Sequence, residues 1–135
     1  MTKINKLSRA QKWLDFAWED LRIIDGLIKE DAFGLACFHA HQAIEKSLKS
    51  FLIYQDEEMG KVHALIELLE ICKKFDQDFG EFEDYILIID RYYIPTRYPD
   101  AAPGSLPEGM PQKEHAEEAL KMAKEIFNFV RKLLK

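Results

Sequence analysis

Apolar residues recur at spacings of three and four along almost the whole chain. Leu14, Ala17, Trp18, Leu21, Ile24 and Ile28 make the first such row. These spacings stack side chains on one helical face, which must then bury itself against a neighbour. Ser8 stands where an N-cap for this helix is expected, and Trp13 and Phe16 widen the stripe, as in a helix touched on more than one side. The next helix is expected to start at Asp31, to bury Phe33, Cys37, Ala40, Ile44, Leu48 and Phe51, and to end near Gln55. A polar connection, Asp56 to Gly60, leads to a shorter helix carrying Leu65, Leu68, Leu69 and Cys72, up to about Phe75. A fourth pattern runs from about Asp78 through Phe82, Tyr85, Ile86 and Ile89 to the Arg91 region. Pro95 is expected to stop it, because proline lacks an amide hydrogen and clashes with the preceding turn. The last helix opens near Glu114 and buries Ala119, Ala123, Ile126, Val130 and Leu133.

Between the last two helices, Pro95 to Pro111 holds five prolines and two glycines, so 95–113 reads as an irregular loop. Loops of this length in compact domains tend to be functional or disordered. Only Tyr85 to Ile89 has any strand character, and nothing else in the chain would pair with it. The expected architecture is all-α, an antiparallel up-and-down bundle of four long helices plus one short helix, in a single domain over 1–135.

A chain of 135 residues buries a core without disulfides or a structural metal. The formal net charge of -5 at pH 7 argues against a broad grip on nucleic acid, which rests on many phosphate contacts, but leaves room for a local basic cleft. Cys37 and Cys72 both fall inside apolar helical patterns and read as buried reduced thiols. Asp15, Glu19 and Asp20 interrupt any signal-peptide core, and no apolar run approaches the length of a membrane span. A cytoplasmic protein without a membrane association is expected.

Two fragments carry candidate chemistry. In the second helix, His41, Glu45 and Lys49 share one polar row, and Gln42 and Lys46 an adjacent one. One reading is a solvated face whose Glu45–Lys49 pair is worth about 0.3–0.5 kcal/mol. The other is a cluster offering an amide, a carboxylate and two ammoniums to a ligand. The second fragment, Arg91 to Asp100, packs two arginines and three tyrosines around Pro95. Arginine presents a planar fork to phosphate, and tyrosine a stacking face to a base. The competing reading has Tyr92 and Tyr93 filling the end of the bundle while the arginines pair with Asp90 and Asp100.

The strings Gln42-Ala43-Ile44-Glu45-Lys46-Ser47-Leu48-Lys49, His63-Ala64-Leu65 and Tyr93-Ile94-Pro95-Thr96-Arg97-Tyr98-Pro99-Asp100 together resemble the HEPN family (higher-eukaryote and prokaryote nucleotide-binding domain). The resemblance covers nearly the whole chain from Trp13 onward. It implies an all-α bundle, a homodimer, and work alongside a small nucleotidyltransferase as a toxin–antitoxin pair. Many members are metal-independent ribonucleases with an Arg-x4-6-His signature at the dimer interface, and one toxin branch carries Arg-x4-His-x-Tyr with a tyrosine that the partner adenylylates. On this chain Arg91 takes the arginine position, Thr96 the histidine position and Tyr98 the tyrosine position. A threonine hydroxyl does not titrate near neutrality, so it cannot stand in as general acid or base. His39, His41, His63 and His115 lack the family spacing after Arg91.

The resemblance therefore implies a nucleotide- or RNA-binding module with Arg91, Arg97, Tyr98, Asp100, Gln42, Glu45, Lys46 and Lys49 as candidate contacts and Tyr98 as the adenylylation candidate. A ribonuclease toxin relying on Arg91, and a purely structural bundle, are the alternatives. The chain has no phosphate loop, no Cys-x-x-Cys and no Glu-x-x-His, so neither a metal nor a cofactor is implied.

Overall fold

The computed structural model describes residues 3–57, 64–97 and 110–134, with side chains for 5–57, 64–92 and 110–134. The described residues form six α-helices and one 3-10 helix, with no strand. These are α1 (Lys3–Arg22), α2 (Ile24–Lys29), α3 (Phe33–Tyr54), α4 (Leu65–Phe75), the 3-10 helix (Gln77–Phe82), α5 (Glu83–Arg97) and α6 (Lys113–Leu133). The all-α expectation holds. α4 and α6 lie within a residue or so of where the apolar spacing puts them.

Five boundaries differ from the sequence reading. The fourth pattern, expected as one helix from about Asp78, divides into the 3-10 helix up to Phe82 and α5 from Glu83. α1 starts at Lys3, so Ser8 lies inside the helix rather than capping it. The first apolar row breaks at Ile23, which keeps right-handed angles (φ -93°, ψ -10°), so Ile24 still reaches the core. Asp31 does not open α3. At φ 60° it is the left-handed residue that closes α2, with its N–H on the Ile28 carbonyl and that of Ala32 on Leu27; a short aspartate tolerates this conformation. Pro95 does not stop α5, which continues to Arg97. Proline's own φ fits a helix, and the bond it forfeits lies close to the helix end. The expected loop thus starts later; residues 98–109 lie outside the described residues.

α3 is the central element and packs against all five other α-helices. Ser50 Oγ donates to the Ala10 carbonyl and His39 pairs with Asp20, so α3 runs antiparallel to α1. The core row Cys37, Ala40, Ile44, Leu48 and Phe51 is buried as the spacing predicts, while Phe33 is only half-buried. At one end of the molecule Phe79 of the 3-10 helix lies between Phe51 and Phe129, with ring centroids at 4.7 and 4.9 Å. On α1, Trp13 is partly buried, but Phe16 is 55% exposed and Trp18 is 51% exposed, with its ring centroid 6.0 Å from that of Phe127.

Both cysteines are buried free thiols. Burial pushes the Cys37 thiol up to about 12 and raises that of Cys72 as well. A thiolate is the reactive species, so neither cysteine should react with Ellman's reagent at pH 8 in the native protein. Both should react in guanidinium chloride. Stoichiometric labelling of the folded protein within minutes would contradict this packing.

Candidate functional site

Because neighbours surround α3, only a strip of it reaches the outside. Leu35, Phe38, His39, Gln42, Glu45 and Lys46 lie on that strip, exposed or half-buried. His41 and Lys49 do not: they are 5% and 7% exposed. The polar row from His41 to Lys49 is therefore not a solvated face. Its middle member, Glu45, accepts from Lys49 Nζ at 2.9 Å, and that ammonium also stands 5.7 Å from the centroid of the Trp13 ring on α1. In this position a cation gains from the ring's negative face.

The adjacent row is tied to α1. Asp20, 7% exposed, receives Lys46 Nζ on Oδ2 at 2.7 Å and faces His39 Nδ1 through Oδ1 at 2.8 Å. Both lysines expected to greet a ligand are thus engaged in internal ion pairs. Sequence reading missed Asp20. Its only signal is position, since Asp20 keeps the three-and-four spacing of Ala17 and Ile24 and so places a carboxylate at the edge of an apolar stripe.

α5 meets α3 where Asp90 Oδ1 approaches His41 Nε2 at 3.4 Å. Arg91, next along α5, is exposed, and among the described residues its guanidinium enters neither an ion pair nor a hydrogen bond. Asp90 turns to His41 instead of to an arginine. Tyr92 points the other way, into the protein. Its hydroxyl donates to Glu118 on α6, and its ring lies 4.9 Å from that of His115. Burial, then the Glu118 carboxylate, pushes its phenol well up. Tyr92 therefore fills the end of the helix pack, as one of the two readings has it. Tyr85 repeats the arrangement two turns earlier, donating to Glu125.

Arg97 is the last residue of α5. The side chains of Thr96 and Arg97, and the whole of His63, Tyr98 and Asp100, lie outside the described residues. On α3 the structure sets Gln42 beside two paired charges, Glu45–Lys49 and Lys46–Asp20, while the neighbouring α5 carries Arg91 next to the Asp90 that meets His41. Among the described residues no group of three or more His, Cys, Asp or Glu side chains converges as a metal site. No helix there is long and apolar enough to cross a membrane.

Known proteins share this arrangement of helices. A crystal structure of TT1696 from Thermus thermophilus is similar at 32% identity and a TM-score of 0.76, covering 92% of this chain and 97% of the other. A crystal structure of ST0689, an archaeal HEPN homologue, matches at 26% identity and a TM-score of 0.73, covering 93% and 98%. A Methanocaldococcus jannaschii protein named "Putative toxin MJ1304" is 25% identical over 134 residues, 93% of this chain and 88% of its own length. The profile of the HEPN domain matches residues 10–133, from the start of the α1 core row to the last turn of α6, and on that match the chain belongs to the HEPN family.

Proposed function

We propose that this chain is a nucleotide- or RNA-binding module that acts as a cytoplasmic homodimer beside a nucleotidyltransferase, as one half of a toxin–antitoxin-like pair. The observation that carries the reading is Arg91. Its side chain is exposed on α5, while the neighbouring acid, Asp90, is turned to His41 on the helix that also bears Gln42. A planar cation of this kind suits a phosphate. The name of the Methanocaldococcus jannaschii relative supports the pairing. Arg97, Asp100 and Tyr98 complete the proposed contacts, with Tyr98 as the hydroxyl that the partner enzyme adenylylates. Lys46 and Lys49, held by Asp20 and Glu45, shape the face rather than grip the ligand.

Isothermal titration with ATP, AMP and a short single-stranded RNA tests this. Binding should be local, so its salt dependence should be shallow, with a slope of about -0.7 per phosphate contact on single strands. Arg91→Ala should weaken it by about 10-fold or more, the loss of one charge-assisted hydrogen bond of about 1.5–3 kcal/mol. No heat with any of the three ligands would sink the binding reading, and a monomer by light scattering would sink the dimer. A metal-independent ribonuclease is the second reading: the relative is named a toxin and not a nuclease, and cleavage needs a proton-transfer group that Thr96 cannot be.

A further inference from the structure

We propose that the outward face of α6, with Trp18 of α1 at its edge, docks an acidic helical segment of a partner protein. This surface involves neither Arg91 nor the exposed strip of α3, so it stands or falls apart from the nucleotide-binding reading.

Charge is sorted along α6. Glu114, Glu117 and Glu118 occupy its first turns, and beyond them Lys121, Lys124, Arg131 and Lys132 are exposed. With Asn128 these four recur at spacings of three and four, so they line one side of the helix, while Ala123, Ile126 and Val130 are buried on the other. The acids that helical spacing would hand to Lys121 are drawn off: Glu118 accepts from Tyr92 and Glu125 from Tyr85, both on α5. Among the described residues none of the four cationic side chains enters a salt bridge or a hydrogen bond. The helix dipole favours cations in the last turn, where Arg131 and Lys132 stand, but its effect ends there and does not account for Lys121 and Lys124. In a chain of formal net charge -5, this face is a local reversal of sign.

An apolar anchor stands beside the cations. Trp18 is half exposed, and its ring lies 6.0 Å from that of Phe127 at a tilt of 35°. Lys124 and Arg131 are one turn to either side of Phe127, so the indole meets α6 between the turns that bear these two cations. Tryptophan and arginine are the residue types on which protein interfaces concentrate their binding energy.

The spacing of the cations selects the occupant. From Lys121 to Lys132 the stripe runs about 16 Å, some three turns of helix at 1.5 Å per residue. A partner helix lying along α6 presents carboxylates at the same three-and-four repeat, so that acids meet the cations and one apolar side chain reaches Trp18. A single strand of nucleic acid calls instead for rings set between the cations. Among the described residues of this face Trp18 is the one exposed ring, and it stands at the edge.

The test uses the full chain and two fluorescein-labelled peptides of about 18 residues, long enough to hold helix in water, followed by anisotropy. One carries glutamate at the three-and-four repeat beside a single leucine; the other has lysine in place of every glutamate. Wild type should bind the acidic peptide and not the basic one, with an affinity that falls as salt rises. The double variant Lys124→Glu/Arg131→Glu should weaken binding about 10-fold or more, because like charges then face one another. Trp18→Ala should weaken it about 5-fold or more; should that variant fold poorly by circular dichroism, the charge reversal at exposed positions decides. Titration of the double variant with ATP or AMP should match wild type. An acidic peptide that wild type ignores at low salt, or that the double variant binds as tightly as wild type, overturns this inference and leaves the nucleotide-binding reading standing. With no peptide bound, single-stranded RNA lost from the double variant would give the face to nucleic acid, and salt-sensitive self-association lost from it would give the face to a second copy.

Discussion

Phe79→Ala is expected to lower the unfolding free energy by about 3–5 kcal/mol, the range for emptying a phenylalanine site in a core. Phe79 is fully buried and belongs to a 3-10 helix between α4 and α5. Its ring meets Phe51 at 4.7 Å and Phe129 edge-on at 4.9 Å, and Phe129 in turn meets Phe82 at 5.1 Å. Aromatic pairs of this geometry add to simple burial. One ring therefore joins the ends of α3 and α6 to the short helix, and three separate elements would have to move together to refill the void. Collapse is resisted, which places the cost toward the top of the range. For a domain whose total stability is on the order of 5–15 kcal/mol, the loss should be plain in a urea titration followed by circular dichroism. A change below about 1.5 kcal/mol would mean that this aromatic cluster does not hold the end of the protein.

Lys46→Met should cost roughly 2 kcal/mol although it leaves most of the side chain's volume in place. Removing one partner of a fully buried pair costs about 3–5 kcal/mol, because the other charge is left behind. Lys46 is about a quarter exposed while Asp20 is not, so solvent offsets part of the penalty. The diagnostic measurement is the double variant Asp20→Leu/Lys46→Met. With both charges gone no buried charge is left unpaired, only the part-buried His39 loses its partner, and the double variant should be more stable than Lys46→Met by itself. A double variant whose losses simply add would show that the two groups do not interact.

The candidate site was legible in the sequence only in part. Gln42 and Arg91 were found by residue type and spacing, and both reach the surface. Glu45, Lys46 and Lys49 were found too, but as groups open to a ligand, and they are instead matched to partners within the fold. The pairing of Asp20 with His39 escaped notice because the chain separates them by nineteen positions, and no local pattern announces a pairing at that range.

What the sequence determined by itself was everything that depends on neighbours along one helix. The three-and-four spacing sets which side of α3 carries Cys37, Ala40, Ile44, Leu48 and Phe51 into the core, and it delimits α4 and locates the start of α6. Only the tertiary structure decided how many partners each helix has. A local pattern shows one apolar stripe and implies one buried side, but α3 is covered from several directions, so His41, Ser47, Lys49 and Ser50 are buried as well. A polar residue in such a place needs a partner, and the fold supplies one across space: Asp90 for His41, Ala10 for Ser50. Likewise Pro95 carries a local penalty for helix, yet α5 continues to Arg97. Propensity and periodicity act over a single turn or two. Burial, charge pairing and the making of a site are properties of several helices at once.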